Sequence, residues 1–190
     1  DSGRQVEVSQ ADLSISRPKP LWSEQNPSDW WTATNMAVAR LDVNNRHKVK
    51  AVGLSGQMHG ATLLDEKLAP LRPAILWNDG RSFRECEDLQ KATPAFVTKG
   101  GNLVMPGFTA PKLQWVRENE PEIFARTTMV LLPKDYVRFK LTGEYVYPFL
   151  ADAQAKRGFG LVALILAVIW SVVVAIGFAG RALVMMRLGA

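Results

Sequence analysis

Gly56-Gln57-Met58-His59-Gly60 sets an amide, a thioether and an imidazole side by side between two glycines. The amide and the imidazole can each donate and accept hydrogen bonds, and the thioether is soft and apolar, so the trio can contact a ligand. A plain tight turn is the other reading of the paired glycines. A second polar tip is Asn78-Asp79-Gly80-Arg81. A carboxylate accepts and a guanidinium donates, so Asp79 and Arg81 can hold a polyol, or they can pair with each other as a structural turn. Cys86 is the one cysteine, so no intrachain disulfide can form, and a reducing compartment fits. No second thiol or histidine cluster accompanies it, which argues against a metal site.

Both tips follow apolar runs. Val49 to Leu54 reads as a buried strand that breaks into Ser55 and the first tip, and Ala61 to Leu64 resumes the apolar pattern. Arg72 to Trp77 is another short apolar run leading to the second tip. In open α/β sheets, ligands sit at the rim beyond the strand ends.

The remaining elements follow from caps and periodicity. Gln5 to Leu13 alternates in part and reads as a strand, and Ser14 to Gln25, with Pro18 and Pro20, as an extended loop. Trp22 in that loop can pack over the core edge or stack on a sugar. Asn26-Pro27-Ser28-Asp29 starts a helix to about Asp42, with Trp30, Met36, Val38 and Leu41 toward the core. Leu63 to Pro70 reads as a strand with a turn at Asp65-Glu66. Ser82 to Lys91 reads as a surface helix with Phe83, Cys86 and Leu89 inward, and Thr93-Pro94 starts a short helix. Pro111 to Asn119 and Pro121 to Ala125 are helical, Met129 to Leu132 is a strand, and Pro133 to Leu141 is a helix stopped by Thr142-Gly143. No repeat or low-complexity segment is visible. The formal net charge of +5 comes without a basic block, so no nucleic-acid partner is expected. The polar Asp1-Ser-Gly-Arg-Gln start is no signal peptide.

At Gln57-Met58-His59-Gly60 the chain resembles the xylulokinase branch of the FGGY family of carbohydrate kinases. Pro20-Leu-Trp-Ser-Glu-Gln25, Ser55 to Leu64, Pro73 to Arg81 and Leu132-Pro-Lys-Asp-Tyr136 support the resemblance. Gly107-Phe-Thr-Ala-Pro-Lys-Leu-Gln-Trp-Val-Arg-Glu-Asn119 is similar to a family signature with a fixed Lys and Trp spacing. The resemblance covers about residues 1–147 and implies an α/β, ribonuclease-H-like (actin-type ATPase) fold, present as a partial domain. It implies ATP-dependent phosphorylation of the C5 hydroxyl of D-xylulose, in xylose metabolism, with ATP and Mg2+ as cofactors and a cytoplasmic location. Met58 and His59 match the sugar-contacting dipeptide of the xylulokinases, with Gln57 beside them, and Asp79 and Arg81 are weaker substrate-binding candidates. Glycerol-specific relatives carry an Arg-Glu pair at the same two places, so Met-His argues for a ketopentose.

The chain departs from the family pattern at both ends. The Asp-x-Gly-Thr-type phosphate hairpin, the catalytic aspartate and the second domain are not matched, so no catalytic, cofactor-binding or metal residue is expected here. The expectation is that these 190 residues alone do not phosphorylate xylulose at a useful rate. Beyond residue 147 come a linker at 148–157 and an uncharged run at 158–180, with a tail at 181–190. Its 23 residues, as a helix rising ~1.5 Å each, would span ~35 Å, enough for a bilayer core of ~30 Å. A C-terminal transmembrane helix is therefore expected, unless the run comes from a shifted or fused reading frame. Lys156 and Arg157 ahead of it weakly favour a cytoplasmic N-terminal domain. Three readings follow: an incomplete xylulokinase-type enzyme, a catalytically inactive membrane-tethered pentulose-binding module, and a non-functional truncated product.

Overall fold

The computed structural model of the chain describes residues 5–94, 98, 101, 103–144 and 183–188. Six helices and six strands are assigned among them. They are β1 (Glu24–Gln25), α1 (Pro27–Arg40), α2 (Val43–His47), β2 (Val49–Ser55), β3 (Thr62–Leu64), β4 (Ala74–Ile75), α3 (Phe83–Ala92), α4 (Thr109–Asn119), α5 (Pro121–Arg126), β5 (Met129–Leu131), α6 (Pro133–Thr142) and β6 (Leu183–Leu188).

The short strands line up through shared partners. Ile75 of β4 opposes Glu24 of β1 on one side and Ala61 on the other, while Thr62 of β3 opposes Leu131 of β5. The order is thus β1-β4-β3-β5, antiparallel throughout. Side chains alternate across this layer, and both faces are covered. Leu64, Ala74, Leu76, Met129 and Leu131 pack with Trp30 of α1 and with Tyr136 and Val137 of α6. Ala61, Leu63 and Ile75 pack the other way, against Leu113 and Val116 of α4, with Ile123 and Phe124 of α5 alongside. Covering on both faces explains why Ala61 to Leu64 is an unbroken buried run without polar alternation. Cys86 and Leu89 of α3 meet Ala110 of α4 and Val104 in a smaller cluster.

Helix ends follow the capping signals. Asn26 Oδ1 accepts from the Ser28 amide, and Pro27 fills the first helical position of α1. Asp42 opens α2 by accepting from the Asn44 and Asn45 amides, so the chain restarts a helix there. Gly143, at φ +72°, closes α6 in the left-handed conformation expected of Thr142-Gly143.

Several expectations are corrected. Residues 5–13 form no strand; the Glu7 carboxylate accepts from the Asp42 backbone amide, and the Gln10 carbonyl accepts from the Arg40 guanidinium, so groups at the end of α1 hold the segment. On α1, Trp30, Ala33 and Thr34 are buried, whereas Met36 is largely exposed. On α3, Glu85 takes an inward place beside Cys86 and Leu89, and Phe83 is 64% exposed. The helix expected after Thr93 falls largely outside the described residues. β2 is not buried: Val52 is 49% exposed, and among the described strands only β6 pairs with β2.

The 181–190 tail contains β6, which runs antiparallel to β2 from Ser55↔Leu183 to Val49↔Leu188. The run 158–180, where the transmembrane helix is expected, lies outside the described residues, and among the described ones no helix is long and apolar enough to cross a membrane.

Candidate functional site

β2 ends at Ser55 and delivers the Gly56–Gly60 tip between the N-terminus of α6 and the loop ahead of α4. The Gly60 amide donates to the Met58 carbonyl at 2.7 Å, which folds the chain tightly around His59. His59 carries the left-handed conformation itself, at φ +57°. Histidine is among the non-glycine residues that reach this region most readily. Gly60 is needed for a different reason. A Cβ there would lie 2.6 Å from Pro133 Cγ, so the tip is pressed onto the first residue of α6.

His59 is half-buried and held from one side. Its ring lies 4.9 Å from that of Phe108, and its carbonyl accepts from Thr109 Oγ1 at 3.1 Å. Burial, and next the nearby Lys112 charge, lower the imidazole pKa below its ordinary value of 6.5. Near neutral pH the ring is uncharged, with one nitrogen free to donate and the other to accept. Met58, next to it, is half-buried.

Gln57 faces inward. Its Nε2 donates to Gln25 Oε1 at 2.8 Å, and the same oxygen accepts from Trp30 Nε1 at 2.9 Å. Gln25 Nε2 in turn donates to the Ser14 carbonyl at 3.1 Å. Through this relay α1 sets the orientation of the tip. Gln57 Oε1 is buried with no hydrogen-bond partner among the described residues.

Asp79 and Arg81 are engaged internally. The Asp79 side chain is fully enclosed and accepts from the Ser23 amide at 2.5 Å and from the Arg81 amide at 2.9 Å. Arg81 returns Nε and Nη2 to the same carboxylate at 2.9 and 2.7 Å. Arg81 Nη2 also reaches Glu24 at 2.8 Å, Glu24 pairs with Arg72, and Arg72 reaches Glu120 at 2.7 Å. The Arg81 guanidinium lies 3.6 Å from the Trp22 ring centre, and the Trp115 ring meets Trp22 edge-on at 5.3 Å. Trp22 thus packs over the core edge, the first of its two readings. Of the two readings for Asp79 and Arg81, the geometry matches the structural turn. An open cleft of about 490 Å3, lined by Arg17, Lys19, Trp22, Ser23 and Asn78 among others, lies beside this turn.

Three residues of the Gly107–Asn119 signature, none of them named as a site residue from the sequence, complete the site. Phe108 and Thr109 flank His59, and Lys112 stands behind them. The sequence signals for Lys112 were its place as the lysine of the Gly107–Asn119 signature and its lone charge among Ala110, Pro111 and Leu113, all core residues. Gly107 brings this loop onto the second tip, since a Cβ there would lie 2.8 Å from the Trp77 carbonyl.

Residues 1–153 match the FGGY family of carbohydrate kinases, N-terminal domain. The chain belongs to the FGGY family of carbohydrate kinases. It is 54% identical over 146 residues to the xylulose kinase of Escherichia coli K12, covering 76% of this chain and 30% of that one. With the xylulose kinase of Klebsiella pneumoniae it shares 56% identity over 134 residues, or 70% of this chain and 28% of that one. The crystal structure of a xyloylose kinase from Brucella ovis superimposes with a TM-score of 0.73 at 47% identity, over 84% of this chain and 36% of that chain. The xylulose kinase of Rhodospirillum rubrum gives a TM-score of 0.66 at 30% identity, over 81% and 35%. The fold is that of the FGGY sugar kinases, an actin-like ATPase fold. The chain spans about 30% of the length of the curated relatives it matches.

Kinases of this family use ATP and a divalent metal. Among the described residues no three His, Cys, Asp or Glu side chains gather to hold a metal ion. What its residues provide is a neutral imidazole, a thioether and a buried amide at one rim.

Proposed function

We propose that the chain supplies the sugar-side wall of an ATP-dependent kinase that phosphorylates D-xylulose to D-xylulose 5-phosphate. One observation carries the reading: the Met58-His59 tip presents a half-buried, uncharged imidazole on a backbone locked by Phe108, Thr109 and α6. His59 hydrogen-bonds a sugar hydroxyl, and Met58 packs its thioether on the carbon face of the sugar. Gln57 orients the pair through Gln25, and Asp79 with Arg81 stiffens the neighbouring wall without contacting the sugar. The xylulose kinases among the relatives support the choice of a ketopentose. ATP and Mg2+ belong to this reaction, and on this reading the chain is cytoplasmic.

Titration calorimetry of the chain with D-xylulose tests the proposal. Saturable binding is expected, weakened about tenfold or more in His59→Ala, since losing one well-placed hydrogen bond costs about 1–3 kcal/mol. Equal binding of glycerol and D-xylulose, or indifference to His59→Ala, would refute it.

A further inference from the structure

Lys112 makes no contact with the sugar in the arrangement above, yet its side chain is among the largest of the fully buried ones. It stands in the first turn of α4, where the helix dipole disfavours a cation. A buried ammonium is tolerated only when its protons are used. All three are: Nζ donates to the carbonyls of Pro106 at 2.8 Å, Gly107 at 2.5 Å and Phe108 at 3.1 Å. Those are the three residues immediately ahead of α4. Phe108 is the residue whose ring meets His59, and Thr109, next in line, donates to the His59 carbonyl.

The geometry points to Lys112 as a positioning residue for the sugar tip: it gathers three successive carbonyls into one bend and so sets the Phe108 ring and the Thr109 hydroxyl against His59. This rests on the pentulose-binding reading of the tip and extends it to a residue behind the binding surface. The groups that bear on Lys112 come from several elements. Burial draws its pKa from 10.5 to about 7, Asp79 and Cys86 oppose that fall, and Arg81 adds to it. Lys112 in turn helps hold the His59 imidazole uncharged. An apolar side chain of similar length would fill the space but gather no carbonyls and exert no charge on His59.

The test compares the whole chain with Lys112→Met and Thr109→Val, following the His59 ring signals by NMR over a pH series, with D-xylulose affinity measured in parallel. Lys112→Met is expected to shift the His59 ring protons as Phe108 leaves, to raise the His59 pKa toward 6.5, and to weaken D-xylulose binding about tenfold. Thr109→Val keeps Lys112 and removes only the hydroxyl; it is expected to shift the same ring protons. It carries the test alone if Lys112→Met does not fold. A role for Lys112 in stability alone would lower the unfolding midpoint and leave the His59 titration where it was. Unmoved His59 signals in either folded variant would overturn the inference. A wild-type chain that binds no D-xylulose would refute the functional reading, while the His59 signals would still decide whether Lys112 positions the tip.

Discussion

His59 combines three features that each have a separate cause: a left-handed backbone, a ring braced by Phe108, and a lowered pKa. The pKa has a thermodynamic consequence. In the unfolded chain the imidazole takes a proton at its ordinary value of 6.5, and in the folded chain only at lower pH. The unfolded state therefore binds more protons in that window, and stability falls as pH drops through 6.5. An NMR titration of the His59 ring is expected to give a midpoint below 6.5, and sugar affinity is expected to fall as the ring gains its proton. The residue types at the tip were legible in the sequence because two glycines bracketed them. Which residue is left-handed was not. Bracketing glycines suggest that one of them turns the chain, whereas the turn lies at His59 and Gly60 answers to Pro133. The contact between Gly60 and Pro133 joins positions 73 residues apart, a relation that no local pattern carries.

At the scale of elements, the tip depends on α6 pressing against it and on α4 supplying the loop behind it. Gly60→Ala would drive a methyl group into the Pro133 ring, which the rigid pyrrolidine cannot avoid by changing rotamer. The expected cost is about 1–3 kcal/mol, typical of overpacking at a tight contact, read as a lower urea midpoint. An unchanged midpoint would mean that α6 does not press on the tip. The helices themselves were legible to within a few residues at most ends, because Asn26-Pro27 and Thr142-Gly143 are local chemical signals. Burial was less legible. Val49 to Leu54 has the composition of a buried strand, but burial is decided by what covers a strand, and here the partner is β6, from the far end of the chain. Lys112 shows the reverse. A lysine reads as solvent-exposed, and three backbone carbonyls made its burial possible.

At the scale of the whole molecule, the Asp79, Arg81, Glu24, Arg72 and Glu120 network ties the second tip to β1 and to the junction of α4 and α5. Glu24 is its centre, since both arginines reach it. Glu24→Gln would leave two enclosed guanidinium groups short of one negative charge, and a loss of about 3 kcal/mol is expected in urea unfolding. A loss under about 1 kcal/mol, as for a surface pair, would show that the network is not enclosed. Two buried groups also shape the alkaline side of the stability curve. Lys112 keeps its proton up to 10.5 when unfolded and only to about 7 when folded, so stability rises with pH between those values. The Cys86 thiol is pushed by burial from 9.0 to about 11, so across that window stability falls as pH rises. Together they predict a urea midpoint that climbs from pH 7 to 9 and levels off above it. The central claim is that the chain meets its sugar at the Gln57–Gly60 tip. Amide chemical-shift mapping of the whole chain during a D-xylulose titration tests this most directly. The account predicts saturable shifts concentrated at Met58, His59, Phe108 and Thr109, with glycerol producing little. Shifts confined to the cleft lined by Arg17, Lys19 and Ser23, or no shifts at saturating sugar, would contradict it.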